Sequence, residues 1–384
     1  MNFPEKLQKK LQKRIHNNSL RSLGENRNLI DFSSNDYLGF SKSEEIFKKA
    51  HQFLVTNKSI QNGATGSRLL SGNYDLYSLV EKELSVFHNI EGALLFNSGY
   101  NANLGVFSSI PQRGDYILYD ELIHASIRDG IQLSNAKQYK FNHNDIKHLE
   151  DRIISIKKEF KNNDSAIYVV TESVFSMDGD IPDLKKMVEI CESHQVFFIV
   201  DEAHSVGVFG MNGRGLIQEL GLENKIFARI ITFGKALGSH GAVVLGSQKL
   251  KEYLVNFSRS FIYTTGLPPH AIATIKQVYQ LLESINGVKS IQQLHENIHH
   301  FQTEIERLQL NFIKSKSAIH CCVVSGNEQT KRIAKRMQDN GFDVKPILSP
   351  TVAEGQERLR FCLHSYNTKK EITQVLENLS TFVM

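Results

Sequence analysis

Cysteine is scarce in this 384-residue chain: four residues, Cys191, Cys321, Cys322 and Cys362, with no CxxC pair among them. A zinc ribbon or a disulfide-stapled secreted scaffold needs paired spacing, so these read as reduced core thiols of a cytoplasmic protein without a metal site. Long apolar runs are missing too. None approaches the roughly 20 residues of a bilayer-spanning helix, and the N-terminus lacks the roughly 7–15-residue apolar segment of a signal peptide. Neither sign of charge dominates: 45 Lys and Arg against 41 Asp and Glu leave +4, no argument for a nucleic-acid partner. Internal repeats and low-complexity segments are absent. The Gly-Lys-Ser/Thr ending of a phosphate-binding P-loop is absent from Gly63-Ala-Thr-Gly-Ser-Arg-Leu-Leu-Ser-Gly72. That loop, with three glycines and the hydroxyls of Thr65, Ser67 and Ser71, reads as lining a site rather than cradling a nucleotide.

What is present is an alternation of short apolar runs with helical spacing. Tyr77 to Asn89 predicts a helix, Ala93-Leu-Leu-Phe96 a buried strand, Tyr116 to Tyr119 a strand and Ala125 to Ser134 a helix. Ile167 to Thr171 then reads as a strand and Lys185 to His194 as a helix, and the pattern continues to Gly246. Such alternation implies an α/β fold with a mainly parallel sheet and crossover helices. Leu7, Leu11 and Ile15, spaced four apart, predict an N-terminal helix packed on its own domain or on a partner subunit. The length suits two or three domains: an N-terminal arm to about residue 43, a large domain over about 44–282, and a smaller α+β domain over about 283–384. In the last, Val323–Gly326 and Arg358–Leu363 read as strands, and Gln329–Asn340 and Thr368–Leu379 as helices.

In open parallel sheets, ligands gather beyond the carboxyl ends of strands. Val196-Phe-Phe-Ile-Val runs directly into Asp201, with His204 three positions on, and Ala228 to Gly246 folds two apolar runs around a glycine-punctuated turn that holds Lys235. Each residue alone suits a cap, a core group or a surface lysine. Together they suit pyridoxal phosphate (PLP): a lysine for the Schiff base, a carboxylate for the pyridine nitrogen and an imidazole for the phenolic oxygen. Ser98, Gly99 and Tyr100 open a helix after a strand and offer backbone amides to a phosphate, or an ordinary N-cap. His124 suits either a stacking position over a cofactor ring or a first helical turn facing solvent. Ser176 again lies beyond a strand end.

Six motifs occur in order along nearly the whole chain: Ser33-Ser-Asn-Asp-Tyr-Leu-Gly39, Gly66-Ser-Arg-Leu-Leu-Ser-Gly72, Ser98-Gly-Tyr-Asn-Ala-Asn103, Ser176-Met-Asp-Gly179, Asp201-Glu-Ala-His204 and Thr232-Phe-Gly-Lys235. This set resembles the α-oxoamine synthases, PLP enzymes of the aspartate-aminotransferase fold (fold type I). The resemblance implies that Lys235 carries the cofactor and later moves protons, Asp201 partners the pyridine nitrogen, His204 the phenolic oxygen, and His124 stacks on the ring. Ser176 and Thr232 become cofactor contacts, alongside the backbone of Gly99 and Tyr100. Thr264 or Thr265 would reach a neighbouring subunit's phosphate, implying a homodimer with shared sites. Arg360 would bind the amino-acid carboxylate through a two-point contact, and Arg21 an acyl substrate. The implied activity is a decarboxylative condensation of L-alanine with a pimeloyl thioester of CoA or a carrier protein, a step of biotin synthesis. Members that use serine or glycine are the alternative.

Overall fold

Strand-formers and helix-formers separate cleanly along this chain, and the computed structural model, which describes residues 3–21, 23, 28–160 and 164–383, places elements accordingly. Contacts divide them into two compact units, one of Asn35–Ser176 and Ile181–Gln292, the other of Met1–Ser34, Met177–Asp180 and Gln293–Met384. The chain opens with helix α1 (Glu5–His16), which forms where the four-residue spacing predicts it. None of its residues is buried, and Leu7, Leu11 and Ile15 are exposed by 45, 47 and 61%. The described chain therefore does not cover the apolar stripe. Strand β1 (Ile30–Asp31) follows.

In the larger unit, helices α2 (Glu44–Thr56) and α3 (Asp75–Phe87) precede β2 (Gly92–Phe96). Then come α4 (Gly99–Ser109), β3 (Tyr116–Asp120), α5 (Ala125–Gln132), β4 (Lys137–Phe141), β5 (Ile167–Glu172), β6 (Phe197–Asp201), β7 (Ala228–Thr232) and β8 (Ala242–Gly246). The seven strands order as β2-β8-β7-β6-β5-β3-β4. All neighbours are parallel except β8, which is antiparallel to both β2 and β7. The α/β, mainly parallel expectation is met. Every residue of β2, β5 and β8 is buried, as continuous apolar runs in a covered sheet should be. Leu94, Ile117, Val170, Ile199, Ile230 and Val244 join Val106 of α4 and Ile127 of α5 in one core. Helix α4 packs on α5, β7 and β8, so its N-terminus is fixed by the sheet it follows.

In the other unit, β9 (Ile319–Val323), β11 (Lys345–Ile347) and β12 (Arg358–Cys362) form an antiparallel sheet ordered β11-β12-β9, while β1 pairs in parallel with β10 (Phe342–Asp343). The strand expected at Val323–Gly326 is in fact β9, four residues earlier. Its second residue, His320, interrupts the apolar pattern, but burial holds its imidazole neutral with a pKa near 4. A helix at Asn327–Asp339 lies between β9 and β10 in sequence, and another at Lys369–Val383 follows β12. Among the described residues, no helix is long and apolar enough to cross a membrane.

Candidate active site

Three neighbouring parallel strands end in polar residues at one rim of the larger sheet: β5 in Glu172, β6 in Asp201 and β7 in Thr232. Strand register sets Glu172 beside Asp201. Three residues past β7 comes Lys235, in the turn that leads into β8. Gly238 holds that turn at φ +55, and a Cβ there would meet the backbone of Phe40 and Ser41, so only glycine fits.

The Lys235 Nζ lies 2.6 Å from His204 Nε2, and His204 Nδ1 lies 2.7 Å from the Tyr37 hydroxyl, which in turn donates to Asn35 Oδ1 at 3.1 Å. Tyr37 is fully buried and His204 nearly so. This chain of polar contacts orients the imidazole and keeps a proton acceptor or donor against the lysine amine.

Asp201 is 5% exposed, and its partners are neutral: Asn103 Nδ2 donates to Oδ2 at 2.8 Å and the Ala203 N–H to Oδ1 at 2.9 Å. A buried carboxylate with only neutral donors suits a cationic counterpart. Asn103 also reaches Ser126 Oγ at 3.0 Å, and Ser126 Oγ contacts His124 Nδ1 at 2.7 Å, while the Asn103 Oδ1 is buried without a partner. His124 is the N-cap of α5. The residue is partly open to solvent, yet enclosure of its ring lowers the imidazole pKa. The charge of Lys235 adds to this and that of Asp201 opposes it. The ring is thus neutral near pH 7, as suits an aromatic face for stacking.

At the start of α4, Ser98 accepts from the Asn101 N–H at 3.1 Å, and a Cβ on Gly99 would stand 3.3 Å from Thr232 Cβ. The helix's free N–H groups and the Thr232 hydroxyl therefore share one small space, which suits a phosphate. Tyr100 bonds Asp129 through its hydroxyl at 2.6 Å, leaving its backbone for that role. Thr264 Oγ1 accepts from Asn97 Nδ2 at 3.3 Å within the same chain, and Thr265 is exposed. Ser176 lies four residues beyond β5. A carboxylate with neutral partners, a half-buried lysine, a neutral imidazole and a helix N-terminus make a donor set that fits PLP.

The larger unit thus gathers Lys235, His204, Asp201, His124, Thr232 and the Ser98–Tyr100 turn. Arg360 and Arg21 belong to the other unit. Arg360 is 8% exposed on the central strand β12, in register with Cys321, and Arg21 donates to Thr351 Oγ1 at 3.2 Å. Sequence reasoning missed Tyr37, Asn103, Ser126 and Glu172. For Glu172 the signal was available: like Asp201, it ends an apolar run that reads as a buried strand.

The charge on Asp201 has a measurable consequence. Asp201→Asn keeps the shape but loses the counter-charge and can accept from only one of Asn103 Nδ2 and the Ala203 N–H, and we expect kcat/KM to fall about a hundredfold, the scale of a hydrogen bond to a charged group. Steady-state rates with PLP in excess check this.

The family described as Aminotransferase class I and II matches residues 27–379. The chain is 40% identical over 367 residues to an 8-amino-7-oxononanoate synthase of Emericella nidulans, covering 92% of this chain and 89% of that one. It is 38% identical to a putative 8-amino-7-oxononanoate synthase of Halalkalibacterium halodurans, with 92% and 87% covered. Among solved structures, 8-amino-7-oxononanoate synthase from Francisella tularensis superimposes with a TM-score of 0.77 at 32% identity, covering 92% of this chain and 97% of that one. Serine palmitoyltransferase from S. paucimobilis, with bound PLP-myriocin aldimine, gives a TM-score of 0.88 at 28% identity, covering 98% and 96%.

Proposed function

Because the chain belongs to the class I and II aminotransferase family, as an α-oxoamine synthase and a PLP-dependent acyltransferase, we propose that it condenses L-alanine with a pimeloyl thioester, giving 8-amino-7-oxononanoate, the free thiol and CO2, in biotin synthesis. One observation carries the reading: a lysine amine 2.6 Å from His204, on the turn that leaves β7, next to the strand that Asp201 ends.

When bound, PLP supplies a protonated ring that takes up the electron pair left on the amino-acid Cα. In our reading, Asp201 would hold the ring nitrogen protonated, His204 would meet the phenolic oxygen, and His124 would cover the ring face. The backbone of Gly99 and Tyr100, with the hydroxyls of Ser98, Ser176 and Thr232, holds phosphate and ring, and Thr264 or Thr265 serves the partner subunit's phosphate in a homodimer. The Lys235 amine withdraws the Cα proton and later returns one at the same carbon, with His204 holding the amine in place. Arg360 anchors the amino-acid carboxylate, the group that leaves as CO2, and Arg21 steers the acyl chain. Positioning of this kind turns an encounter of two substrates into a reaction between fixed neighbours.

A second reading is condensation of serine with a longer acyl thioester, favoured by the higher TM-score to serine palmitoyltransferase. The 40% identity to an 8-amino-7-oxononanoate synthase favours alanine. A panel of alanine, serine and glycine against pimeloyl-CoA and palmitoyl-CoA, followed by thiol release, decides between them. We expect kcat/KM for alanine to exceed that for serine or glycine by about tenfold or more, the scale of one methyl or hydroxyl in a fitted pocket. Preference for serine with palmitoyl-CoA overturns the first reading.

A further inference from the structure

We propose that Glu172 is a positioning residue of the PLP site: its carboxyl fixes the start of α5, and with it the His124 ring, against the end of β5, beside Asp201. The inference rests on the cofactor reading above and adds to it a group outside the expected contacts.

The geometry is specific. Glu172 is 3% exposed at the last position of β5, in register with Asp201, and its Oε1 accepts the backbone N–H of His124 at 2.6 Å. His124 caps α5, so the same backbone that Glu172 grips sets where the ring stands. From the other side, Asn103 ties Asp201 to Ser126, which contacts the His124 ring. Two strand ends and one helix start are thus bound into a single frame.

The charge state follows from the surroundings. Burial pushes the Glu172 carboxyl from its ordinary 4.5 up to about 8, and the negative charge of Asp201 adds to this, as does Asp120 at the end of β3. The positive charge of Lys235 and the His124 N–H act in the opposite direction. His124, facing it from α5, is itself held neutral. Near pH 7 Glu172 is therefore mostly an uncharged acid: it still accepts the His124 N–H and adds no further charge beside Asp201. Above about pH 8 it ionises beside Asp201, and the repulsion works against the frame. For stability the sign is fixed. Between 4.5 and about 8 the folded chain keeps a proton that the unfolded chain has released, so stability falls as pH rises through that window and levels off above it.

The test uses the full chain freed of PLP. Glu172→Ala removes the acceptor and leaves a buried N–H unmet, and should raise the Kd for PLP about tenfold or more. Glu172→Gln keeps a neutral acceptor and should restore the Kd to within about twofold of wild type. Through about pH 8 the wild-type Kd should rise relative to that of E172Q, and the apo-protein Tm should fall relative to that of E172Q between about pH 5 and 8. An E172A protein that binds PLP like wild type, or E172Q that reproduces the wild-type pH course of both Kd and Tm, overturns the proposal. If E172A does not fold, the comparison of E172Q with wild type decides alone. Borohydride fixation separates the two readings: a wild type that fixes no PLP overturns the cofactor reading along with this one. Fixation by wild type with unchanged E172A binding overturns this one only.

Discussion

Lys235→Ala is expected to reduce thiol release from L-alanine and pimeloyl-CoA by at least about 10³-fold, within the range that a positioned proton-transfer group alone contributes. The amine is held 2.6 Å from His204 Nε2 on a turn whose shape Gly238 enforces. Two readouts separate loss of chemistry from loss of fold. Borohydride treatment with PLP should leave a mass increment on the wild type and none on K235A, and the two proteins should melt at similar temperatures. A K235A protein that still fixes PLP, or still turns over near the wild-type rate, contradicts the site.

Glu202→Ala is expected to lower stability by about 3–5 kcal/mol, because it strands a buried guanidinium. Arg229 and Glu202 are 1% and 0% exposed, and the Arg229 Nε donates to Glu202 Oε2 at 2.7 Å. The other carboxylate oxygen accepts from Ser205 Oγ at 2.8 Å and the Ile217 N–H at 3.1 Å. Glu202 follows Asp201 directly in sequence and Arg229 lies in β7, so the pair sutures the end of β6 to β7. A fall in Tm of roughly 5–15 °C should follow at that energy. Replacing both partners with apolar residues of similar size should recover much of the loss, since the cost lies in the unpaired charge rather than in the missing attraction. A single mutant as stable as the wild type would contradict the burial of this pair.

The parallel strands were legible because their apolar runs are continuous and end abruptly in polar letters. Val196 to Asp201 shows this, and the strand is β6, Phe197–Asp201. The edge strand β4 escaped because Lys137-Gln-Tyr-Lys-Phe141 is exposed along most of its length and offers little apolar signal. In the smaller unit, His320 hid β9 by breaking an otherwise apolar run. Lys235, His204, Asp201 and His124 could be read from strand ends and from the resemblance together. Tyr37, Asn103 and Ser126 could not, because each acts through a contact with a residue far along the chain. Asn103 reaches Asp201 across 98 positions, and nothing in the local pattern of α4 announces it.

The single reversed strand has a consequence for how this architecture can vary. Strand β8 opposes both of its neighbours, and two inversions cancel, so β2 points the same way as β7 and delivers the start of α4 to the Lys235 side. Were β2 instead antiparallel to β7, its carboxyl end, and with it the start of α4, would lie at the opposite rim of the sheet from Lys235.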